Sequence, residues 1–308
     1  MLKLKIGTRG SALALVQANW VKDKLLQHYA NCQIQIVSIK TSGDRMKRTP
    51  ISQMGGKGLF VKEIEKALIE GEIDLAVHSM KDLPMELPRE LLIAAITERE
   101  DPFDVFVSKT FSSIESLPPR SIIATGSLRR KVQLLYYRSN FIIKEIRGNV
   151  DTRIRKLDKG FADGLVLAAA ALKRLKQKNR ITQYLRPDVC LPAAGQGALG
   201  IEIRAKDVSL KKKFAVLNDA ASNSTITAER SCLRNLGVGC HTPAGAYGEL
   251  NGGEILLKCF VASLDGKVII KKKMLGPKED AEILGEFMAK RILNDGGREL
   301  LSQLSEKK

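Results

Sequence analysis

Arginines recur where the strands of this chain should end. Arg9 closes the alternating segment LKLKIGTR, with Ser11 two residues on. Thr125, Gly126 and Ser127 follow SIIA and open a helical stretch that has Arg129 and Arg130 in its first turn. Arg147 ends FIIKEIR, and Arg153 and Arg155 follow it into another helix. In open α/β sheets, ligands collect beyond the carboxyl ends of strands and at helix N-termini, where backbone N–H groups and the helix dipole favour anions. Guanidinium forks grip carboxylates or phosphates at two points, which lysine cannot do. The placement therefore points to an anionic ligand. Cations in a first turn also oppose the helix dipole, so Arg129 and Arg130 need a further reason to be there.

Three other segments carry chemistry-bearing residues. HSMKDLP (78–84) sets Asp82 beside Lys81 where a strand ends, well placed for a carboxylate that faces a ligand; His78 reads as a packed, hydrogen-bonded side chain. GGKGLF (55–60) lacks the spacing of a nucleotide-binding phosphate loop and reads instead as a loop presenting Lys57 to an anion. GVGCHTPAGAYGEL (237–250) holds Cys240 in a glycine-rich loop. Zinc needs about four ligands, and Cys232, Cys240 and His241 come without a CxxC pair or an obvious fourth. A protease-type thiolate needs a histidine within reach, and the adjacent His241 would normally point elsewhere. Covalent attachment of a group through sulfur and a buried structural thiol both stay open on local sequence.

The elements that must position these residues follow from periodicity. QIQIVSIK is a second strand after LKLKI. FVKEIEKALIEG is a helix ending at Gly71, and IDLAVHS is a strand apolar enough for the middle of a parallel sheet. From about Asp101 the pattern restarts with FDVFVS, SIIAT, FIIKEIR and GLVLAA as strands and helices between several of them. Two such α/β units predict a double-lobed architecture with a cleft. The tail predicts a small α+β domain: a helix near TITAERSCLRNLG, the strands EILLKCFV and KVIIKKK around an SLDG turn, and a closing helix EDAEILGEFMAKRIL.

Composition narrows the partners. Lys and Arg number 51 against 34 Asp and Glu, a net charge of +17 that predicts an anionic partner. Aromatic residues are only 5% and rarely neighbour the basic clusters, which argues against single-stranded nucleic acid. The five cysteines are scattered and odd in number, against a disulfide framework and in keeping with a reducing cytosol. Neither a signal region at the N-terminus nor a membrane-length apolar run is evident, so a cytoplasmic protein is expected.

Eight segments together carry a resemblance: KIGTRGSALALVQA, GGKGLFVKEIE, AVHSMKDLP, EREDPFDVFVS, SLRRKVQLL, IRGNVDTRIRKLDKG, LPAAGQGALGIE and TAERSCLRNLGVGCHTPAGAY. In this order, over about 240 residues, they resemble the porphobilinogen deaminase (hydroxymethylbilane synthase) family. The resemblance implies a three-domain α/β fold: two lobes like those of periplasmic binding proteins, at 1–98 with 198–216 and at 99–197, and a small α+β domain at 217–308. It implies a dipyrromethane cofactor held by a thioether to Cys240. Four porphobilinogen molecules would be joined head to tail onto that primer, with loss of four ammonia, and hydrolysis would free the linear tetrapyrrole. It further implies a monomer without nucleic-acid or membrane partners.

By the same resemblance Arg9, Ser11, Lys57, Lys81, Thr125, Ser127, Arg129, Arg130, Arg147, Arg153, Arg174 and Gln196 bind cofactor and substrate carboxylates. Each ring brings an acetate and a propionate, which accounts for the demand for arginine forks. Asp82 and Lys81 are expected to be the catalytic residues, Asp82 as a buried carboxylate that accepts the pyrrole N–H and stabilises positive charge as ammonia leaves. The chain departs from the family pattern at Gln53, Gly126, Asp151 and His241. A two-lobed anion-binding module without catalysis is the alternative.

Overall fold

A computed structural model describes residues 2–45, 61–239 and 242–305. They fall into two compact units, 1–100 with 197–223 and 101–196 with 224–308.

In the first unit the alternation of β1 (Leu2–Arg9) buries Leu4 and Ile6. The helix α1 (Ala12–His28) lays Ala18, Val21 and Leu25 on them, a stripe at helical spacing. β2 (Cys32–Ile39) pairs in parallel with β1 along its whole length, and α2 (Ser42–Arg45) follows. α3 (Lys62–Ile69) stops before Gly71, whose φ of +77° is the left-handed conformation that favours glycine there. β3 (Leu75–Ser79) lies parallel to β1. β4 (Leu91–Ile96) forms the far edge of the sheet. The chain later returns as β10 (Leu199–Arg204), antiparallel to both β3 and β4, so the strand order is β2-β1-β3-β10-β4. Leu75 and Val77 pack in the α1 core while Ala76 packs with Ile64, Ala67 and Leu68 of α3, so the sheet is covered on both faces.

The second unit opens with β5 (Asp104–Val107), β6 (Ile122–Ala124), α4 (Leu128–Tyr137), β7 (Ile142–Lys144) and α5 (Val150–Asp158). β8 (Gly164–Ala168), α6 (Ala169–Arg174) and the two-residue β9 (Gln183–Tyr184) complete its sheet, ordered β7-β6-β8-β5-β9. Alternation again splits the core: Val105, Leu165 and Leu167 meet α5, whereas Phe106, Ile123 and Val166 meet Leu134 of α4.

After α7 (Val208–Phe214), α8 (Ala220–Asn235) leads to an antiparallel meander of β11 (Ala244–Asn251), β12 (Glu254–Ala262) and β13 (Ile269–Pro277). The helices α9 (Ala281–Ile292) and α10 (Arg298–Ser305) follow. α9 crosses α8 at Gly285, where a Cβ would stand 2.5 Å from the Ala228 carbonyl oxygen. The SLDG turn rests on α4: Gly266 has φ +72°, and a Cβ there would lie 2.6 Å from the Val132 carbonyl oxygen. Val132 and Leu191 share a core with Tyr247 and Phe260, so the meander and the second α/β sheet are parts of one packed body.

Three expectations change. β4, in LLIAAI, and the short β9 join strands that periodicity finds. The stretch read as a glycine-rich loop becomes a strand, β11, from Ala244 onward.

Candidate active site

Because β1 and β3 are parallel neighbours, with Ile6 opposite Leu75, their carboxyl ends finish side by side. This brings the β1–α1 turn against the residues that follow β3. Ser11 caps α1, its Oγ accepting from the Ala14 N–H at 3.3 Å. Gln17, one turn on, donates to Ser79 Oγ at 2.9 Å. Thr8, Arg9, Ser11, Gln17, Ser79 and Asp82 line a cavity of about 60 Å³. Arg9 reaches Asp44 through Nε at 3.3 Å and through a terminal nitrogen. Burial pushes the Asp44 carboxyl up, but hydrogen bonds from Arg9 and Thr41 outweigh it and hold the group below the usual carboxylate range.

Asp82 departs from the buried carboxylate expected above: it is exposed. The turn of Met80–Asp82 is the cause. Met80 and Leu83 both point inward at 0% exposure and anchor it, which leaves Lys81 half-buried and Asp82 outermost. His78 is the packed, hydrogen-bonded residue the sequence predicts. Its Nε2 lies 3.0 Å from Glu202 Oε2, and both side chains are buried. Glu65 of α3 adds a second carboxylate here; burial and then the charge of Glu202 push its carboxyl above the usual range.

The second unit has a comparable strand end. β6 stops at Ala124; Thr125 Oγ1 then accepts from the Ser127 N–H at 3.2 Å, and Ser127 Oγ caps α4. Arg129 and Arg130, however, do not project to a surface. Both are buried, and Asp104 of β5 takes a terminal nitrogen of each, Arg129 at 2.7 Å and Arg130 at 2.6 Å. Gln196 donates to the same carboxylate at 2.9 Å. Arg129 also donates to the Leu191 carbonyl, and Arg130 to that of Val166 at 3.0 Å. Three residues expected to meet a ligand thus converge on one buried carboxylate, which is the reason two arginines stand in a first turn. Burial opposes the charge on Asp104, but the two guanidiniums win and hold it far below the usual range. Cys190 beside it is pushed up to about 12, chiefly by burial and then by Asp104. It stays a thiol and donates to Asp104 at 3.2 Å.

Arg147 and Arg153 flank the start of α5. Arg147 is partly buried, its Nε 3.3 Å from Glu145, and its Nη2 is buried without a hydrogen-bond partner. Arg153 Nε donates to the Gly148 carbonyl at 2.8 Å. Arg174, the last residue of α6, is partly buried. Asp151, a departure from the family pattern, accepts from Gln177 at 2.7 Å. Gly126, another, has no room for a side chain: a Cβ would sit 2.8 Å from the Ile146 carbonyl oxygen.

Sequence reasoning missed Glu229. Buried in α8, it accepts from the Gly195 N–H at 2.7 Å and from the Gly248 N–H at 2.8 Å. It thereby ties the AAGQG turn to β11. The available signal was an acid on the helix face that carries Ile226 and Leu233. Cys240 and Lys57 lie outside the described residues. Among the described residues no three His, Cys, Asp or Glu side chains form a metal-ligand group, and no helix is long and apolar enough to cross a membrane.

Residues 4–212 match a family model described as the porphobilinogen deaminase dipyrromethane-cofactor-binding domain, and residues 224–294 match the porphobilinogen deaminase C-terminal domain. A curated porphobilinogen deaminase from Pelobacter propionicus is 46% identical over 305 residues, covering 99% of this chain and 98% of the relative. Among solved structures, the methionine-binding protein MetQ is 15% identical with a TM-score of 0.45, over 69% of this chain and 88% of that one. A periplasmic substrate-binding protein of an ABC transporter from Coxiella burnetii is 16% identical with a TM-score of 0.43, over 72% and 94%.

Proposed function

The chain belongs to the porphobilinogen deaminase family, and from that premise we propose the roles its own residues play. The enzyme is a transferase that condenses porphobilinogen head to tail onto a dipyrromethane primer, in tetrapyrrole biosynthesis. When bound, the dipyrromethane supplies the free pyrrole carbon to which the first substrate is added. The described residues suit such a polycarboxylate, with capped helix N-termini at Ser11 and Ser127 and a buried Arg147 Nη2 that lacks a partner.

Asp82 is the catalytic residue in this reading. Departure of ammonia from porphobilinogen leaves positive charge on the ring nitrogen. A carboxylate that accepts the pyrrole N–H stabilises this developing charge more than it stabilises the neutral ring. Its exposed position leaves it open to substrate, and the hydrogen bond gains strength when the bound substrate displaces water. Arg9, Ser11 and Lys81 take carboxylates beside it. In the second unit Thr125, Ser127, Arg147, Arg153 and Arg174 do the same. Arg129, Arg130 and Gln196 act through Asp104, and the buried Nε of Arg130 has no hydrogen-bond partner. Cys240 is the point of attachment and Lys57 a further cation for the growing chain. The enzyme works as a monomer in the cytosol, in keeping with cysteines that are unpaired where described.

The observation that carries this reading is the meeting of Asp82 with Arg9 and Ser11 around one cavity at the carboxyl ends of β1 and β3. The test is the intact mass of the purified protein. It should exceed the sequence mass by a two-pyrrole unit, and Cys240→Ala should remove both the excess and the activity. Fully active wild-type protein of unmodified mass would sink the proposal, as would binding of porphobilinogen without turnover.

A further inference from the structure

Two thiols in the second unit meet for no purpose that the reaction explains. Cys232 lies in α8 and Cys259 in β12, and their Sγ atoms are 3.4 Å apart. Exposure is 0% for Cys232 and 1% for Cys259. Cys232 donates its S–H to Cys259, and this bond, then burial, pushes its thiol well above the usual range. The other described cysteines lie apart from this pair: Cys32 begins β2, and Cys190 bonds Asp104. The sulfurs therefore face each other across the joint between a helix and the central strand of the meander.

We propose that Cys232 and Cys259 are a latent disulfide, a cross-linking site that a small-molecule disulfide such as oxidised glutathione can close. Closing it asks the two sulfurs to approach from 3.4 Å to a bond of about 2 Å, a movement that two side chains can share. The step balances as dithiol–disulfide exchange. The thiolate of one cysteine attacks the reagent disulfide and expels one thiol. The second cysteine then attacks the mixed disulfide and expels the other. One S–S bond forms and one breaks, the protein gives up two electrons and two protons, and two reagent thiols carry them away.

Burial makes the reaction slow, because a thiolate must form and meet the reagent. The route is a local opening of the last turn of α8, where Arg234 and Asn235 are exposed and Gly237, at φ +67°, ends the helix against open space. Cys240 follows only eight residues after Cys232. Closing the link would pin the helix end that leads to the attachment cysteine.

The test uses the full-length enzyme as purified. It is incubated in native buffer with oxidised glutathione, quenched in acid, alkylated in denaturant and digested with trypsin. The expected product joins the peptide SCLR (231–234) to CFVASLDGK (259–267). Two alkylatable thiols are lost, Cys32 and Cys190 remain alkylated, and dithiothreitol reverses the change. The linked protein should also unfold at a higher temperature than its reduced counterpart, a readout that does not depend on turnover. Cys259→Ser should abolish the linkage; if that variant does not fold, the wild-type peptide map decides alone. Full alkylation of both cysteines, glutathione retained on either of them, or a link that forms only after prior unfolding would overturn the proposal.

Discussion

Asp104 Oδ1 and a terminal nitrogen of Arg130 are 2.6 Å apart with both side chains buried, and Arg129 holds the other carboxylate oxygen at 2.7 Å. Removing the shared acid would strand two guanidiniums in the interior. Asp104→Ala should lower unfolding free energy by roughly 3–5 kcal/mol, the usual cost of breaking a buried pair by deleting one partner, as read in urea melts. The acid dependence has a definite sign. The carboxyl is held below its ordinary value, so its contribution is complete above the unfolded pKa of about 4 and is lost as pH falls through the lowered folded value. Asp104→Asn should lack that part of the acid slope.

Substitution of Asp82 should separate catalysis from folding. It is exposed and its turn is anchored by Met80 and Leu83, so Asp82→Asn should shift stability by no more than about 0.5 kcal/mol. Turnover should fall on the order of 100-fold or more, while the two-pyrrole mass excess remains. Near-normal turnover would refute the role assigned to this carboxylate.

Gly126 tests a departure from the family pattern. A Cβ there would stand 2.8 Å from the Ile146 carbonyl oxygen. Gly126→Ser should cost about 1–3 kcal/mol through overpacking. It should also weaken porphobilinogen binding by displacing the adjoining Ser127 cap. A variant as stable as the parent would mean that the Ile146 segment yields without cost.

Glu65 titrates in the opposite sense to Asp104. Burial and the charge of Glu202 raise its carboxyl, so the folded chain holds that proton more tightly than the unfolded chain does. Stability from this group is present at low pH and declines as pH rises from the unfolded value through the raised folded one. Glu65→Gln should remove the decline. The variant should compare better with wild type at about pH 8 than at about pH 4, and an unchanged difference would exclude the coupling.

Much of the first α/β sheet was legible because β1, β2, β3 and α3 carry clear apolar patterns, whereas LLIAAI of β4, apolar throughout, offers no alternation. IDLAVHS announces a buried strand, and Gly71 announces the end of α3. β11 was hidden by the residues that make it fit. Gly245 and Gly248 suggest a loop, yet a Cβ on Gly245 would stand 2.8 Å from the Phe260 ring and 3.2 Å from Arg129 Cδ. Glycine there serves close packing, a reason that local sequence does not display. The positions of Arg9, Ser11 and Asp82 at strand ends were readable for the opposite reason, since strand periodicity fixes where each strand stops. The fate of Arg129 and Arg130 was not. Their partner Asp104 is about 25 residues away on another strand, and charge type alone does not separate a guanidinium that meets substrate from one that meets the core.

The order of strands in the first sheet has a consequence for synthesis on the ribosome. β10 lies between β3 and β4 but is encoded after the whole of the second α/β sheet. When residue 100 emerges, β3 has only β1 beside it, and β4 has no strand to pair with until residues 199–204 arrive. The N-terminal lobe thus begins first and closes late, while β5 through β9 can pair among themselves in the interval. Chain growth from N to C therefore does not set the order of completion here, and the open edge of β3 and the unpaired β4 are both exposed to mispairing during that wait.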